Sequence, residues 1–212
     1  MLLAFDTATP AVTVALYDGQ RVVAERCTVD AMRHGELLAP SISAVLEEAG
    51  LVRQDLTAIA VGVGPGPFTG LRVGLVTART LAAVLEIPVY GVCTLDVLAV
   101  EAVDTGTVDG PFHVATDARR KEVYLASYDA GGVRLGGPDV VKPATAATDQ
   151  PVVGRGAVIY PGSFPDGRAP ENPSAGILAQ VVAEERAELY DPEPMYLRRP
   201  DTAAPHEPKR VS

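Results

Sequence analysis

Cysteine is scarce. Only Cys27 and Cys93 occur in 212 residues, far apart and in no CxxC spacing. Two such residues do not make a secreted disulfide scaffold, and both are expected as buried, reduced thiols. Histidine is scarce too. His34, His113 and His206 form no HxxH or HxxxH pair, so no zinc site is expected, and no Ser-His-Asp arrangement can be argued. His34, close to Glu36 at a helix start, reads as a capping or surface group. Basic residues are outnumbered, 18 Lys and Arg against 27 Asp and Glu, net −9. That balance argues against a free-standing nucleic-acid binder, which needs clustered cations. The two basic clusters, Arg119-Arg120-Lys121 and Arg198-Arg199, read as solvated or ion-paired patches. Long apolar runs are missing. The richest stretch, 73–100, is broken by Arg79, Glu86, Pro88 and Asp96, and no membrane span is expected. The N-terminus meets Asp6 without a basic region before it, unlike a signal peptide, so the cytoplasm is the default location.

What is present is a globular composition, 47% hydrophobic and 21% charged. A chain of this length buries about 70% of its unfolded surface and needs no metal or disulfide staple. A repeat organises it. Leu2–Asp6 is a short apolar run ending in an acid, followed by a turn, a strand 11–17 and the hairpin signal Asp18-Gly19. Phe112–Asp117 starts the same series, which ends at Tyr128-Asp129 with equal spacing, 111 residues later. Half a chain length between copies predicts two similar lobes. The first half reads β-β-β-α-β-α-β-α, with helices at 35–49, 68–85 and 95–103 and strands at 20–28, 56–61 and 88–93. The second half has the three starting strands, a poorly patterned 143–154, and a helix at 174–189. The expected architecture is α/β with two ribonuclease-H-like lobes, residues 1–104 and a smaller 105–190. A Pro-rich tail, 191–212, follows, and its last ten residues are expected to be disordered.

Helix 68–85 is apolar all round its wheel, and a helix of that kind must be covered all round. Its small-residue stripe of Gly70, Gly74, Ala78 and Ala82 permits close backbone approach. Either a neighbouring helix of the same lobe covers the remainder, or a helix of another subunit does. In the second case the contact residues are Leu71, Gly74, Leu75, Ala78 and Ala82, joined by Leu37, Ser41 and Ala44 of the first helix. Leu38, Ile42, Val45, Leu46 and Ala49 form that helix's stripe for the sheet.

The segment 61–74 is a glycine-rich strand-to-helix turn, the usual setting of a phosphate site. Yet no GxGxxG passes through Gly62, Gly64 and Gly66, no Lys-Ser/Thr follows, and Pro65 and Pro67 remove two N–H donors. Pro67 suits the first helical position with Gly66 as cap, so a rigid turn that sets the helix is the plainer reading. Asp6 and Asp117 end equivalent strands. They either organise the turns that follow, Asp117 together with Arg119, or face a nucleotide. The turns contain no glycine to admit phosphate, and the strand 56–61 ends without a carboxylate for a metal pair.

Five segments carry a resemblance. They are Leu3-Ala4-Phe5-Asp6-Thr7-Ala8-Thr9, His34-Gly35-Glu36-Leu37-Leu38-Ala39-Pro40, the run from Gly64 to Gly74, Asp117-Ala118-Arg119-Arg120-Lys121-Glu122-Val123-Tyr124, and Pro194-Met195-Tyr196-Leu197-Arg198. On these the chain resembles the TsaB (YeaZ) family, with Pro67 and Gly35 standing where that family usually has Ser. The resemblance implies an actin/Hsp70-like (ASKHA) fold. It also implies a non-catalytic subunit in the synthesis of N6-threonylcarbamoyladenosine in tRNA. Its partners would be the catalytic paralogue TsaD, held through the first two helices, and the ATPase TsaE. Contact with tRNA would come only through the complex. No cofactor is implied for this chain alone, the ATP being used by the complex, and a homodimer through the same helices is a further expectation. An independent small-molecule kinase or ATPase of the same fold is the alternative, with nucleotide binding by the isolated chain as its mark.

Overall fold

The computed structural model describes residues 1–198; the expected disorder of the last ten residues, Arg199 and His206 lie outside them. Near-continuous apolar runs after Met1 form β1 (Leu2–Asp6) and β2 (Ala11–Tyr17), which pair antiparallel, Asp6 opposite Thr13. Asp18 accepts the N–H groups of Gln20 and Arg21, and Gly19 takes φ +98°, which turns the chain into β3 (Val22–Val29). Helices α1 (His34–Glu48) and α2 (Phe68–Leu85) then return the chain to two parallel strands, β4 (Ala58–Gly64) and β5 (Val89–Cys93). Every residue of β2 is buried, because helices cover both faces of this sheet.

The second sheet has the same plan. β6 (Phe112–Asp117), β7 (Val123–Tyr128) and β8 (Arg134–Val141) make an antiparallel meander. β9 (Val152–Val153) and β10 (Gly167–Arg168) add in parallel to β6. Counted from its third strand, each sheet runs third-second-first-fourth-fifth, the ribonuclease-H order. The molecule is therefore an actin/Hsp70-like duplication with a reduced second lobe. The reduction falls on the crossovers. Where the first lobe has the 15-residue α1, the second has a single 3-10 turn at Pro143–Thr145. Where it has the 18-residue α2, the second has the five-residue α4 (Arg155–Ile159).

Three expectations need correction. The final helix, α5, spans only Ala175–Ala183, because Glu185 takes a left-handed φ of +53° and the chain then enters β11 (Leu189–Tyr190). Both α5 and β11 belong to the first lobe. β11 pairs antiparallel with β5, and α5 packs on β1 and β2, so the lobes do not divide at residues 105–190. The fourth strand runs to Gly64 rather than stopping at Val61. Helix α3 (Thr94–Asp104) lies between the lobes. Leu95 and Leu98 pack with Phe112, Val114 and Tyr128 of the second sheet, and Val97 and Val100 with Ala60 and Val92 of the first.

Candidate functional site

Four of the five glycines of 62–74 have one role in common, close approach to the end of β1 and the turn after it, while Gly64 takes a φ of +95° against Leu71. A Cβ at Gly62 would fall on the Asp6 carboxylate, one at Gly66 on the Ala8 carbonyl, one at Gly70 on the Thr7 carbonyl, and one at Gly74 within 2.5 Å of Thr7 Oγ1. Thr7 Oγ1 donates to the Gly70 carbonyl at 2.8 Å, fastening the turn to the first turn of α2. The helix starts at Phe68 with Pro67 as its cap residue, one position later than the reading with Gly66 as cap. Asp6 closes this packing from behind. Its carboxylate accepts from Ala8 N–H and from Thr94 Oγ1, each at 2.6 Å. Burial pushes its pKa up, and those two hydrogen bonds hold it down. Asp6 has no exposed surface and organises the turn. Asp117 repeats the geometry in the second lobe, accepting from Arg119 N–H at 2.8 Å.

In front of this turn lie two adjoining cavities of about 260 and 240 Å³. They share Pro67, Thr69 and Arg119. One extends along Thr7, Thr9 and His34, the other along Tyr124, Tyr196 and Arg198. Of the three acid-and-turn residues read from sequence, Arg119 lines the cleft, Asp117 pairs with it at 3.7 Å, and Asp6 lies behind the wall. Among the described residues no carboxylate lines either cavity, and no three His, Cys, Asp or Glu side chains are grouped to hold a metal. The buried Asp6 does not fit the position of an acid facing a nucleotide's metal. The cleft offers hydrogen bonding and positive charge, and its lining holds His34, Tyr124 and Tyr196 but no carboxylate.

Several cleft residues were not legible as such. His34 is a buried ring whose Nε2 lies 2.8 Å from the Thr9 carbonyl, not a cap or surface group. Tyr196 stacks at a tilt on Phe68 with centroids 4.7 Å apart and accepts from Arg72 Nε at 3.1 Å. Arg198 donates to the Ala118 carbonyl at 3.1 Å and pairs with Glu122. The only signal for them was the tail segment 194–198 itself, whose partners are distant in sequence. Of the cysteines, Cys93 is buried and its thiol is pushed up to about 12 by desolvation, while Cys27 is exposed, against expectation.

The helix surface read as a partner face needs correction. Leu71, Gly74, Leu75, Ala78 and Ala82 are all buried against the sheet of their own lobe. They are unavailable to a partner. The small-residue stripe exists because Thr7 and β4 approach it. Leu37, Ser41 and Ala44 are half-buried on the flank of α1 turned away from α2, and Ser41 Oγ bonds back to the Leu37 carbonyl. The outward side of α2 carries Thr69, Arg72, Val76, Thr80 and Val84, with Val76 and Val84 62% and 71% exposed. Beside it, Ala39, Ile42 and Leu46 of α1 with Thr77 and Leu81 of α2 line an open groove of about 750 Å³.

Fold and site together define a two-lobed actin/Hsp70-like chain whose cleft is lined by no carboxylate among the described residues and whose second helix leaves Val76 and Val84 uncovered. The model of the family "TsaD: tRNA N6-adenosine threonylcarbamoyltransferase" matches residues 27–162, more than half of the chain. An uncharacterized protein of Mycobacterium tuberculosis is 44% identical over 94% of this chain and 92% of its own length. The tRNA threonylcarbamoyladenosine biosynthesis protein TsaB of Escherichia coli is 39% identical over 62% of this chain and 57% of its own. The solved structure of YeaZ from Pseudomonas aeruginosa superposes with a TM-score of 0.78 at 32% identity, covering 92% of this chain and 99% of that one. The chain belongs to the TsaB (YeaZ) family.

Proposed function

We propose that this chain serves the synthesis of N6-threonylcarbamoyladenosine in tRNA as a non-catalytic, cytoplasmic subunit that docks on TsaD through the outward side of α2. The uncovered Val76 and Val84 carry this reading. They are large apolar side chains on a helix whose inner face is already satisfied by its own sheet, and an exposed apolar ridge next to an apolar groove suits a helical partner. Glu36 and Glu47 on α1 and Arg72 and Arg79 on α2 flank the ridge with opposite charges, which would set the register of the pair. On this reading TsaE and tRNA are met through the complex, ATP is used by the complex rather than held by this chain, and a homodimer forms over the same ridge when TsaD is absent.

The test uses TsaD from the same host. Val76→Asp with Val84→Asp should leave the fold intact, because neither side chain is buried, with stability changed by no more than about 0.5 kcal/mol per site. The same pair should weaken TsaD binding at least about tenfold in calorimetry, about 1.4 kcal/mol or more. In a host depleted of its own copy, the wild-type chain should restore threonylcarbamoyladenosine in digested tRNA and the double variant should not. Leu75→Asp, by contrast, should unfold the chain. Normal TsaD binding by a well-folded double variant would show that the ridge is not the docking side.

A further inference from the structure

The chain's last described stretch runs across both lobes. β11 pairs with β5 at the edge of the first sheet. Met195 N–H donates to the Val63 carbonyl at 2.9 Å, near the C-terminal end of β4. Tyr196 then lies on Phe68 at the start of α2, and its hydroxyl accepts from Arg72 Nε at 3.1 Å. Leu197 packs into the core of the second lobe, and Arg198 holds the Ala118 carbonyl and Glu122. Three side chains in a row thus join α2 to the turn 118–122, and together they wall the larger tyrosine-lined part of the cleft.

The turn they hold is strained. Arg119, Arg120 and Lys121 all take left-handed φ, +60°, +53° and +61°, a conformation non-glycine residues avoid. Ala118 N–H donates to Glu122, Glu122 N–H to Arg119, and Arg119 N–H to Asp117. From outside the turn, Arg198 reaches its backbone at Ala118. At the other end Arg72 is exposed on α2 beside the ridge and also lies over the Phe68 ring, 5.8 Å from its centroid.

We propose that Met195–Arg198 is a latch between the lobes with Arg72 as its catch, opened when an acidic side chain of a docked partner takes Arg72 from Tyr196. The physical reason is competition. A carboxylate makes a charge-assisted, two-pronged pair with a guanidinium, stronger than the single hydrogen bond to a neutral tyrosine hydroxyl. Loss of that bond leaves the Tyr196 side chain with only its ring contact on Phe68, which weakens the link from α2 through Leu197 to Arg198. Occupation of the α2 ridge is in this way transmitted to the strained turn and to access into the cleft. The inference takes from the preceding section only the side on which a partner docks.

The test needs no partner, so it fails or succeeds separately from the TsaD reading. Hydrogen exchange is followed by mass spectrometry on the full chain and on Arg72→Gln, Tyr196→Phe, their double variant, and Arg79→Gln. Arg79 is an exposed arginine further along the same helix and controls for lost charge. In Arg72→Gln and in Tyr196→Phe, exchange in peptides covering Ala118–Glu122 should speed up about fivefold, the opening of a local unit by one lost hydrogen bond. The double variant should add little to either single change, because both break one link. Arg79→Gln should leave that turn unchanged. Exchange confined to 66–72 and 194–197, or a rise at Ala118–Glu122 in Arg79→Gln as well, would overturn the latch.

Discussion

At position 66 a single methyl group decides the structure. The Ala8 carbonyl occupies the place a Cβ would take, and that carbonyl belongs to the backbone of a buried turn, so it has nowhere to move. Gly66→Ala should therefore cost about 3 kcal/mol, the upper part of the usual range for overpacking, because the clashing atoms are fixed. Gly110→Ala, where nothing lies within 4 Å of the new Cβ, should be neutral. Urea unfolding of the two variants checks the difference, and equal stabilities would refute the packing argument. The glycine-proline run was legible as a rigid turn because its prolines and the absent Lys-Ser/Thr argue against phosphate from the chain itself. What it packs against was not legible. Thr7 and Ala8 lie some sixty residues away, and no local pattern names a partner at that distance. Asp6 followed the same logic. A carboxylate at a strand end reads equally as catalytic or as turn-organising until its burial is known.

Among elements, α2 shows what a helical wheel leaves open. Periodicity established that the helix is apolar on more than one side, and it placed the ends at Phe68 and Leu85. It did not say which side meets the sheet. The wheel leaves the small stripe open to a same-lobe neighbour or a partner, and it faces inward because the β1–β2 turn and β4 come so close. The N-terminus of α5 shows a second device that no local pattern announced. Ser174 caps the helix, Glu101 of α3 accepts the Ser174 N–H at 3.1 Å, and Glu25 of β3 accepts from Gly176 N–H and Ser174 Oγ. Desolvation is the main cause that raises the Glu101 pKa to about 7, with the Glu25 carboxylate adding to it and the Ser174 N–H opposing it. The folded state thus holds a proton that the unfolded chain releases near 4.5. Between those values rising pH favours the unfolded chain, so this group's contribution is full below about pH 4.5 and lost by about pH 7. Because the side chain is half-buried, solvent screening leaves on the order of 1 kcal/mol of the loss. Glu101→Gln keeps an acceptor for Ser174 and cannot ionise. The variant's stability should stay flatter than the wild type's from pH 5 to 7.5, read as Tm, and parallel pH curves would dismiss the effect.

The whole molecule has two sheets but is stitched across them in several places, and the stitching sets how it should unfold. The duplication was legible because hairpin spacing repeats. The return of α5 and β11 to the first lobe was not, because two-residue strands and a nine-residue helix carry no mark of which sheet they join. One buried charge group ties these parts together. Asp96 of α3 accepts from Tyr128 Oη of β7 at 2.8 Å and lies 3.7 Å from Arg134 Nε of β8. Arg134 in turn donates to Tyr190 of β11 at 2.5 Å and to Glu188 at 3.3 Å. Two of these elements, β7 and β8, belong to the second sheet, β11 belongs to the first, and α3 lies between. Burial raises the Asp96 pKa and the neighbouring guanidinium pulls it back, the balance of a carboxylate whose charge depends on its partner. Arg134→Met removes that partner and leaves Asp96 uncompensated, which should cost about 3 kcal/mol. Asp96→Asn added to it should recover a substantial part, because the buried charge is then gone as well. If this group joins the lobes, the wild type unfolds in one transition by both calorimetry and circular dichroism, and Arg134→Met lowers it or splits it in two. An Arg134→Met chain with an unchanged single transition would mean that α3 and the apolar cores on its two sides hold the lobes together without the charges.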